Sequence, residues 1–553
     1  MPLYTEQASS WRDLRALPSF APPLPRLSPK HEPTKMGSSG TRWSLSECAG
    51  PAGLMLHMLL ARYGLTDESV LCIDSKPSTL KSGQADGIQP RTLEVFKTLG
   101  ISDEIENGAC QMWEFAFWST SDDPCKIIER RSCVPEVIPP ARFQYEATIH
   151  QGRVERIMET DLLRYSARVV ERESKLVSMW VDEGADAQFP HLVGADGVHS
   201  VVRRSMGLQL EGQSLNYILG VVDLVVETDV PDIRRRCAVH SPAGSVMVIP
   251  RERISTGEYI TRLYVNIPGA VEEAALDADA DLKKEMKGRR SEIELEGILK
   301  QAEDVFKPYY FRPKRDDAVD WWAAYQIGQR AGQGMNVSMM DSYNLAWKLA
   351  YHIQGITPFQ VDGHSSSTLL DTYHTERHAN AQRLIDFNSR AGFQTKATPP
   401  VSSPARNFLS GILRAGRRLR NVKLKRFADG WHRDIHGDLS STGRFRLLSL
   451  LTTDLLDTNG VSAMSVTATA NLVTQFPASL IEQIIVYPRV PGQSEMTFYN
   501  GYELEDVYGI YGVDPVRGAL VVLRPDGYVG LVVALSDTGR VDEYLSRVIA
   551  RAR

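Results

Sequence analysis

Residues 331–350, AGQGMNVSMMDSYNLAWKLA, constrain this chain more than any other twenty. Gly332 and Gly334 flank Gln333, and Met335 and Asn336 lead into an amphipathic helix. Glycines at such a place permit positive φ and let another group come close to the backbone. The helix that follows aims its free N–H groups and the positive end of its dipole back at the same spot. That makes a nest for an electron-rich ring oxygen or an anion. Taken alone, the pattern is equally an ordinary glycine loop before a buried helix.

Other segments add to it. Cys48-Ala49-Gly50-Pro51-Ala52-Gly53 aligns with Gly-x-Gly-x-x-Gly, with cysteine at the first position. In that pattern Gly50 lets a pyrophosphate approach the backbone, and Gly53 packs helix on strand. Asp74 ends the next strand, 21 residues beyond Gly53, where a carboxylate accepts from ribose hydroxyls. The residues Thr41–Glu47 before this turn make a poor central strand, which should be a near-continuous apolar run. A side chain at position 48 costs ~1–2 kcal/mol if the turn demands positive φ.

A second signature follows an apolar strand: Gly194-Ala195-Asp196-Gly197-Val198-His199-Ser200. Two further segments are Gln84–Glu94, with Asp86 and Arg91, and Ile149–Arg156, with Gln151. Asp86 and Arg91 each have a bland alternative, a turn aspartate before glycine and a surface helix charge. The stretches Ser241–Glu252 and Thr261–Val265 read as paired strands carrying Arg251 and Tyr264.

In this order the motifs resemble the FAD-dependent aromatic-ring hydroxylases, the phenol 2-monooxygenase and 3-hydroxybenzoate 4-monooxygenase group, over about residues 46–553. The resemblance implies an α/β fold: a Rossmann-like FAD-binding domain, an inserted antiparallel-sheet substrate domain as in p-hydroxybenzoate hydroxylase, and a thioredoxin-like C-terminal domain. It implies FAD contacts at Gly50, Gly53, Asp74, Arg91, Gln151, Asp196, Gly197, Gly334, Met335 and Asn336, with NAD(P)H as co-substrate. It also implies O₂ and a small phenolic substrate, with Asp86 as general base, Tyr264 orienting the phenolic oxygen and Arg251 stabilising negative charge. In the family a Gly-Asp-Ala-x-His element stands shortly before the glycine loop. Here Tyr325–Arg330 runs straight into Ala331, so a segment of a few tens of residues is absent. A diverged protein fits that, and so do coding segments joined imperfectly; Cys48 and the weak first strand point to the second. A relative that keeps the fold without binding flavin well is therefore the alternative reading, and a flavin oxidase or dehydrogenase a third.

The expected organisation is a disordered tail over 1–40, rich in Pro, Ser and Gly; interleaved FAD and substrate domains over 41–395, with the substrate sheet at about 205–325; a linker over 396–430; and the C-terminal domain over 431–553. That last domain has no CxxC, so its role is structural or dimer-forming, which implies a homodimer. Lys and Arg total 63 against 68 Asp and Glu, a net charge of −5 that gives no reason to expect a nucleic-acid partner. The basic run Arg414–Arg426 reads as a solvated linker or helix face, since no aromatic residues interleave with it. Six cysteines show neither metal-type spacing nor disulfide pattern, and no apolar run or leader suggests a membrane or secretion, so a reducing, cytoplasmic setting is expected.

Overall fold

The computed structural model of the chain describes residues 24, 43–46, 49–65, 69–81, 85–122, 127–137, 141–167, 170–177, 191–209, 214–267, 293–328, 334–358, 368–389, 412–426, 430–488, 499–501 and 506–552. Cys48, Gln84, Gly332, Gln333 and nearly all of the expected N-terminal tail lie outside them.

Strand β1 (Trp43–Ser46) lies between β2 (Val70–Cys72) and β8 (Leu192–Gly194), parallel to both, with Leu45 opposite Cys72 and Val193. The stretch that looked too polar for a strand thus holds the centre of a parallel sheet. What fixes it is the unit around it. Helix α1 (Pro51–Arg62) crosses from β1 to β2 and is buried from Gly53 to Ala61, so the strand before it is held by the crossover. Among the described residues β8 is an edge of this sheet.

A small sheet orders β3 (Gly87–Ile88), β7 (Glu146–Thr148) and β4 (Cys110–Met112). It leads to a seven-stranded sheet in the order β15 (Val319–Gly328), β9 (Ser214–Leu224), β13 (Tyr259–Asn266), β12 (Gly244–Arg253), β11 (Arg236–Ser241), β5 (Glu114–Thr120), β6 (Ile128–Pro135). Every neighbouring pair is antiparallel except β11 and β5. The sheet therefore reaches beyond the expected 205–325 and recruits two strands from much earlier in the chain. Strands β10 (Val226–Thr228) and β14 (Phe311–Pro313) pair beside it. Helix α6 (Leu295–Phe306) covers one face, burying Ile298, Ala302 and Val305 against Val222, Val248 and Leu263. It comes so close that a Cβ on Gly220 would stand 2.7 Å from Ile298 Cγ1.

Helices α2 (Pro90–Leu99), α3 (Ser102–Gly108), α4 (Gln151–Leu162) and α5 (Val201–Ser205) complete the nucleotide-domain layer. Helix α7 (Gly334–Ile353) packs along α1, and α8 (Thr368–Ser389) along α7. Among the described residues no helix is long and apolar enough to cross a membrane.

The C-terminal module orders β19 (Ile481–Val486), β18 (Phe445–Leu450), β21 (Ala519–Leu523) and β22 (Val529–Val533), with β18 parallel to β19 and antiparallel to β21. Helices α9 (Ile435–Asp438), α10 (Val461–Val473), α11 (Val507–Tyr511) and α12 (Thr538–Ser546) accompany it. A second small sheet orders β17 (His432–Asp434), β16 (Lys423–Arg426) and β20 (Tyr499–Gly501). Side chains alternate along the strands. Phe445, Leu447, Leu520 and Val522 join the same core as Leu54, Trp347 and Tyr351, while Leu448, Leu450, Val521 and Leu523 form a second core with Leu413, Leu419, Val422 and Leu424. Residues 412–426, inside the stretch read as a linker, are therefore packed onto the C-terminal module. A polar latch reinforces the junction. Arg524 Nη1 and Nη2 donate to Glu376 of α8 at 2.6 and 2.8 Å, and buried Lys348 of α7 donates to the same carboxylate at 3.0 Å.

Candidate active site

Side chains from four places converge where the small sheet meets the large one. Asp86 immediately precedes β3, Arg251 and Glu252 stand on β12, Arg262 on β13, and Asp223 on β9 directly opposite Arg262. The β12–β13 register shifts between Pro250 and Arg253, which turns Arg251 toward its neighbours on β9 and β3. Arg262 Nε and Nη2 donate to Asp223 at 2.7 and 2.6 Å. Arg251 Nε and Nη2 donate to Glu252 at 2.9 and 3.1 Å, and its Nη1 lies 3.3 Å from Asp223 Oδ2. Asp86 Oδ2 stands 3.4 Å from Arg251 Nη1 and 3.2 Å from Arg262 Nη1. Both guanidiniums, Glu252 and Asp223 are no more than 1% exposed. Ions so deeply buried are tolerated only when paired, and here three carboxylates surround two cations.

The protonation states follow. Burial alone would raise Glu252, but the charge and hydrogen bonds of Arg251 outweigh it and hold the carboxyl at about 2. Burial works against the charge of Arg262, yet Asp86 and Asp223 lift its pKa above the usual guanidinium value. Burial and the Arg251 charge press His150 down to about 4. Its Nδ1 accepts from Gly152 N at 3.1 Å, which assigns the neutral ring's proton to Nε2. Tyr264, two residues beyond Arg262 and on the same strand face, is raised by burial and by the Asp86 charge, so its hydroxyl remains a donor.

The start of α7 is tied to the same place. Asn336 Oδ1 accepts from Gln89 N at 3.0 Å and Thr92 Oγ1 at 2.8 Å, while Nδ2 donates to Gly87 O at 2.9 Å. Those bonds fix the Asp86–Gly87 turn against the helix start. Met335 is buried beside it, and Gly334 has open space where a Cβ would sit. Gln151 directs its amide inward: Oε1 accepts from Ala85 N at 3.3 Å and Nε2 donates to Glu155 Oε1 at 2.8 Å. Gly152 has no alternative residue, because a Cβ there would lie 1.9 Å from Leu80 O.

At the dinucleotide end, Gly50 caps α1 with no side-chain cap bond and open space before it. Asp74, 2% exposed, accepts from Ala49 N at 2.9 Å and Lys76 N at 2.7 Å, so it braces the glycine turn. Asp196 Oδ2 accepts from Val201 N and Val202 N at 2.5 and 3.2 Å, while buried Oδ1 has no hydrogen-bond partner. Gly197 takes φ +75° with open space around it. An uncapped helix start, open glycines at 50, 197 and 334, and an orphaned carboxylate oxygen are what a bound dinucleotide would satisfy. The residues present fit FAD. Arg91 stands apart from the others: its guanidinium is half exposed, pairs with Glu94 at 3.1 Å, and faces residues 414–420.

The sequence reading passed over Arg262, Asp223, Glu252 and His150. Arg262 was detectable, since a residue two before Tyr264 on a strand shares its face. Asp223 was also detectable, as the lone charge in an apolar strand.

Residues 48–287 and 323–388 match the model of the FAD binding domain family, and residues 492–553 match the phenol hydroxylase C-terminal dimerisation domain. The chain belongs to the FAD-dependent aromatic hydroxylase family. It is 29% identical to a flavin-dependent oxygenase of Aspergillus ustus, ucdD, covering 90% of this chain and 91% of that protein. It is 27% identical to 3-hydroxybenzoate 4-monooxygenase of Comamonas testosteroni, covering 95% and 97%. The latter alignment spans 663 positions, more than the 553 residues present here, so that relative carries segments this chain lacks. Among solved structures, aklavinone-11 hydroxylase in a ternary complex with FAD and aklavinone matches with a TM-score of 0.59 at 20% identity, over 92% of this chain and 99% of that one.

Proposed function

We propose that this chain is an FAD-dependent monooxygenase that hydroxylates a phenolic ring, with NAD(P)H as reductant and O₂ as oxygen source. The observation that carries the reading is Asp86, set between Arg251 and Arg262 at the seam between the start of α7 and the substrate sheet. Gly50, Gly53, Asp74, Asp196, Gly197, Gly334, Met335 and Asn336 would hold FAD, with Gln151 supporting the turn beneath it. Bound there, FAD supplies hydride acceptance and oxygen activation. The chain's own part is acid–base and electrostatic. Asp86 takes the proton of the phenolic hydroxyl, which makes the ring electron-rich. Tyr264 donates a hydrogen bond to that oxygen, and Arg251 stabilises the negative charge left on it. Arg262 holds Asp86 in place through the Asp223 pair. Residues 43–389 form the interleaved FAD and substrate domains, and 412–552 a thioredoxin-like module through which two copies pair.

A second reading, a relative that keeps the fold with weak flavin binding, is favoured by one feature. The polar atoms of Asp74, Gln151 and Asn336 are already bonded within the protein. The visible spectrum of the purified chain separates the two. A stoichiometric flavin band, followed by phenol-stimulated NAD(P)H oxidation, supports the monooxygenase. A colourless but folded protein supports the relative.

A further inference from the structure

The basic run at 414–426 turns out to form one wall of a cleft of about 710 Å³, closed on the other side by the start of α2. Five arginines line it: Arg91, Arg414, Arg417, Arg418 and Arg420. The two acids that share the lining already have partners, Glu94 inside the cleft and Glu136 outside it. Glu94 holds Arg91 at 3.1 Å and accepts from Arg142 N at 3.1 Å, and Glu136 pairs with Arg236 at 2.5 Å. Among the described residues no carboxylate pairs with Arg414, Arg417 or Arg420, and Arg418 donates to the carbonyl of Arg91 at 3.3 Å. Cations crowded in this way around a concavity repel one another, and a multiply charged anion relieves that repulsion. Guanidinium groups suit phosphate in particular, since their paired donors match its oxygens. The first turn of α2 adds its dipole, with Gln89 and Pro90 on the same lining and no side-chain cap at Gln89. The volume is that of a small-molecule site.

The cleft also adjoins the candidate active site. Gln89 lines it and donates its N–H to Asn336, which in turn holds Gly87 next to Asp86. We propose that this cleft binds the phosphates of the reduced nicotinamide co-substrate, and that the arginine excess selects the form bearing the 2′-phosphate. The inference rests on the monooxygenase reading for the identity of its ligand. Arg91, expected on FAD, belongs to this second site.

The test is calorimetric titration of the full chain with adenosine 2′,5′-bisphosphate, with flavin content read on the same sample. Arg414→Gln combined with Arg417→Gln alters two exposed side chains, and Arg312→Gln, on the distant β14, serves as control. The double variant is expected to bind the bisphosphate at least about tenfold more weakly, as loss of hydrogen bonds to a charged group requires. The control is expected to bind within twofold of the parent, and the KM for NADPH to rise in the double variant with kcat little changed. Equal affinity in parent and double variant overturns the proposal, and so does binding of inorganic pyrophosphate without binding of the bisphosphate. A colourless chain that still binds the bisphosphate through these arginines supports the cleft and overturns the monooxygenase reading. A flavin-loaded chain indifferent to the arginines does the reverse.

Discussion

Arg262 and Asp223 face each other across neighbouring strands and share two parallel hydrogen bonds, at 2.7 and 2.6 Å. The third guanidinium nitrogen of Arg262 stands 3.2 Å from Asp86, so the pair sets where that carboxylate sits. Replacing Arg262 by Met leaves two buried carboxylates short of a cation. The expected loss is about 3–5 kcal/mol of stability, read from the urea midpoint. Arg262→Lys keeps a charge but not the two-point geometry and is expected to fall between. An unchanged midpoint in both variants would show that the pair contributes nothing to the fold.

Asp86→Asn keeps size and removes the base. Hydroxylated product per unit time is expected to drop by roughly 10²–10⁴. The flavin spectrum should stay as in the parent. Loss of flavin together with activity would assign Asp86 to holding the turn instead.

Glu146 sits under Arg236 at 2.9 Å, and Arg236 also holds Glu136. Burial and the Glu136 charge push Glu146 up to about 7, against the pull of Arg236. In the unfolded chain it titrates near 4.5. Between those values the folded protein holds a proton that the unfolded chain has released, so stability falls as pH rises from about 4.5 to about 7. Below that window both states are protonated, and above it both are ionised. The expected fall is on the order of 2–3 kcal/mol, and Glu146→Gln should flatten it. Parallel stability–pH curves for parent and variant would rule the effect out.

Arg524→Met cuts the latch between the C-terminal hairpin and α8. The expected cost is about 3 kcal/mol, because the carboxylates of Glu376 and Asp526 lose a shared partner. Since Lys348 lies on α7, flavin should also dissociate faster, a rate followed by the recovery of free-flavin fluorescence. A variant with lower stability but parental flavin release would confine the latch to holding the two cores together.

Much of this architecture is legible in the residues. The glycine turn, the Asp196-Gly197 strand end and the helix after Gly334 all stand where local chemistry put them, since turns and helix starts are written in a few adjacent side chains. Strand β1 was misjudged because its place depends on the α1 crossover and on β8, almost 150 residues away. Arg251 and Tyr264 stand on the paired strands expected for them, but the ion network around them is not written locally. Its members come from β9, from the consecutive strands β12 and β13 and from the turn before β3, and only the fold shows that Asp223 faces Arg262. Of the basic run, the linker reading is corrected and the solvated charges are not. Arg414 and Arg417 stay exposed, and what the run's charges hide is the apolar set between them, Leu413, Leu419, Val422 and Leu424, packed into the C-terminal core.

Strand β18 feeds two cores at once: Phe445 and Leu447 join the one shared with Leu54 and Trp347, while Leu448 and Leu450 join the one shared with Leu419 and Leu424. A single strand with both faces committed leaves no plane along which the C-terminal module could peel away, so the two cores are expected to melt as one cooperative unit.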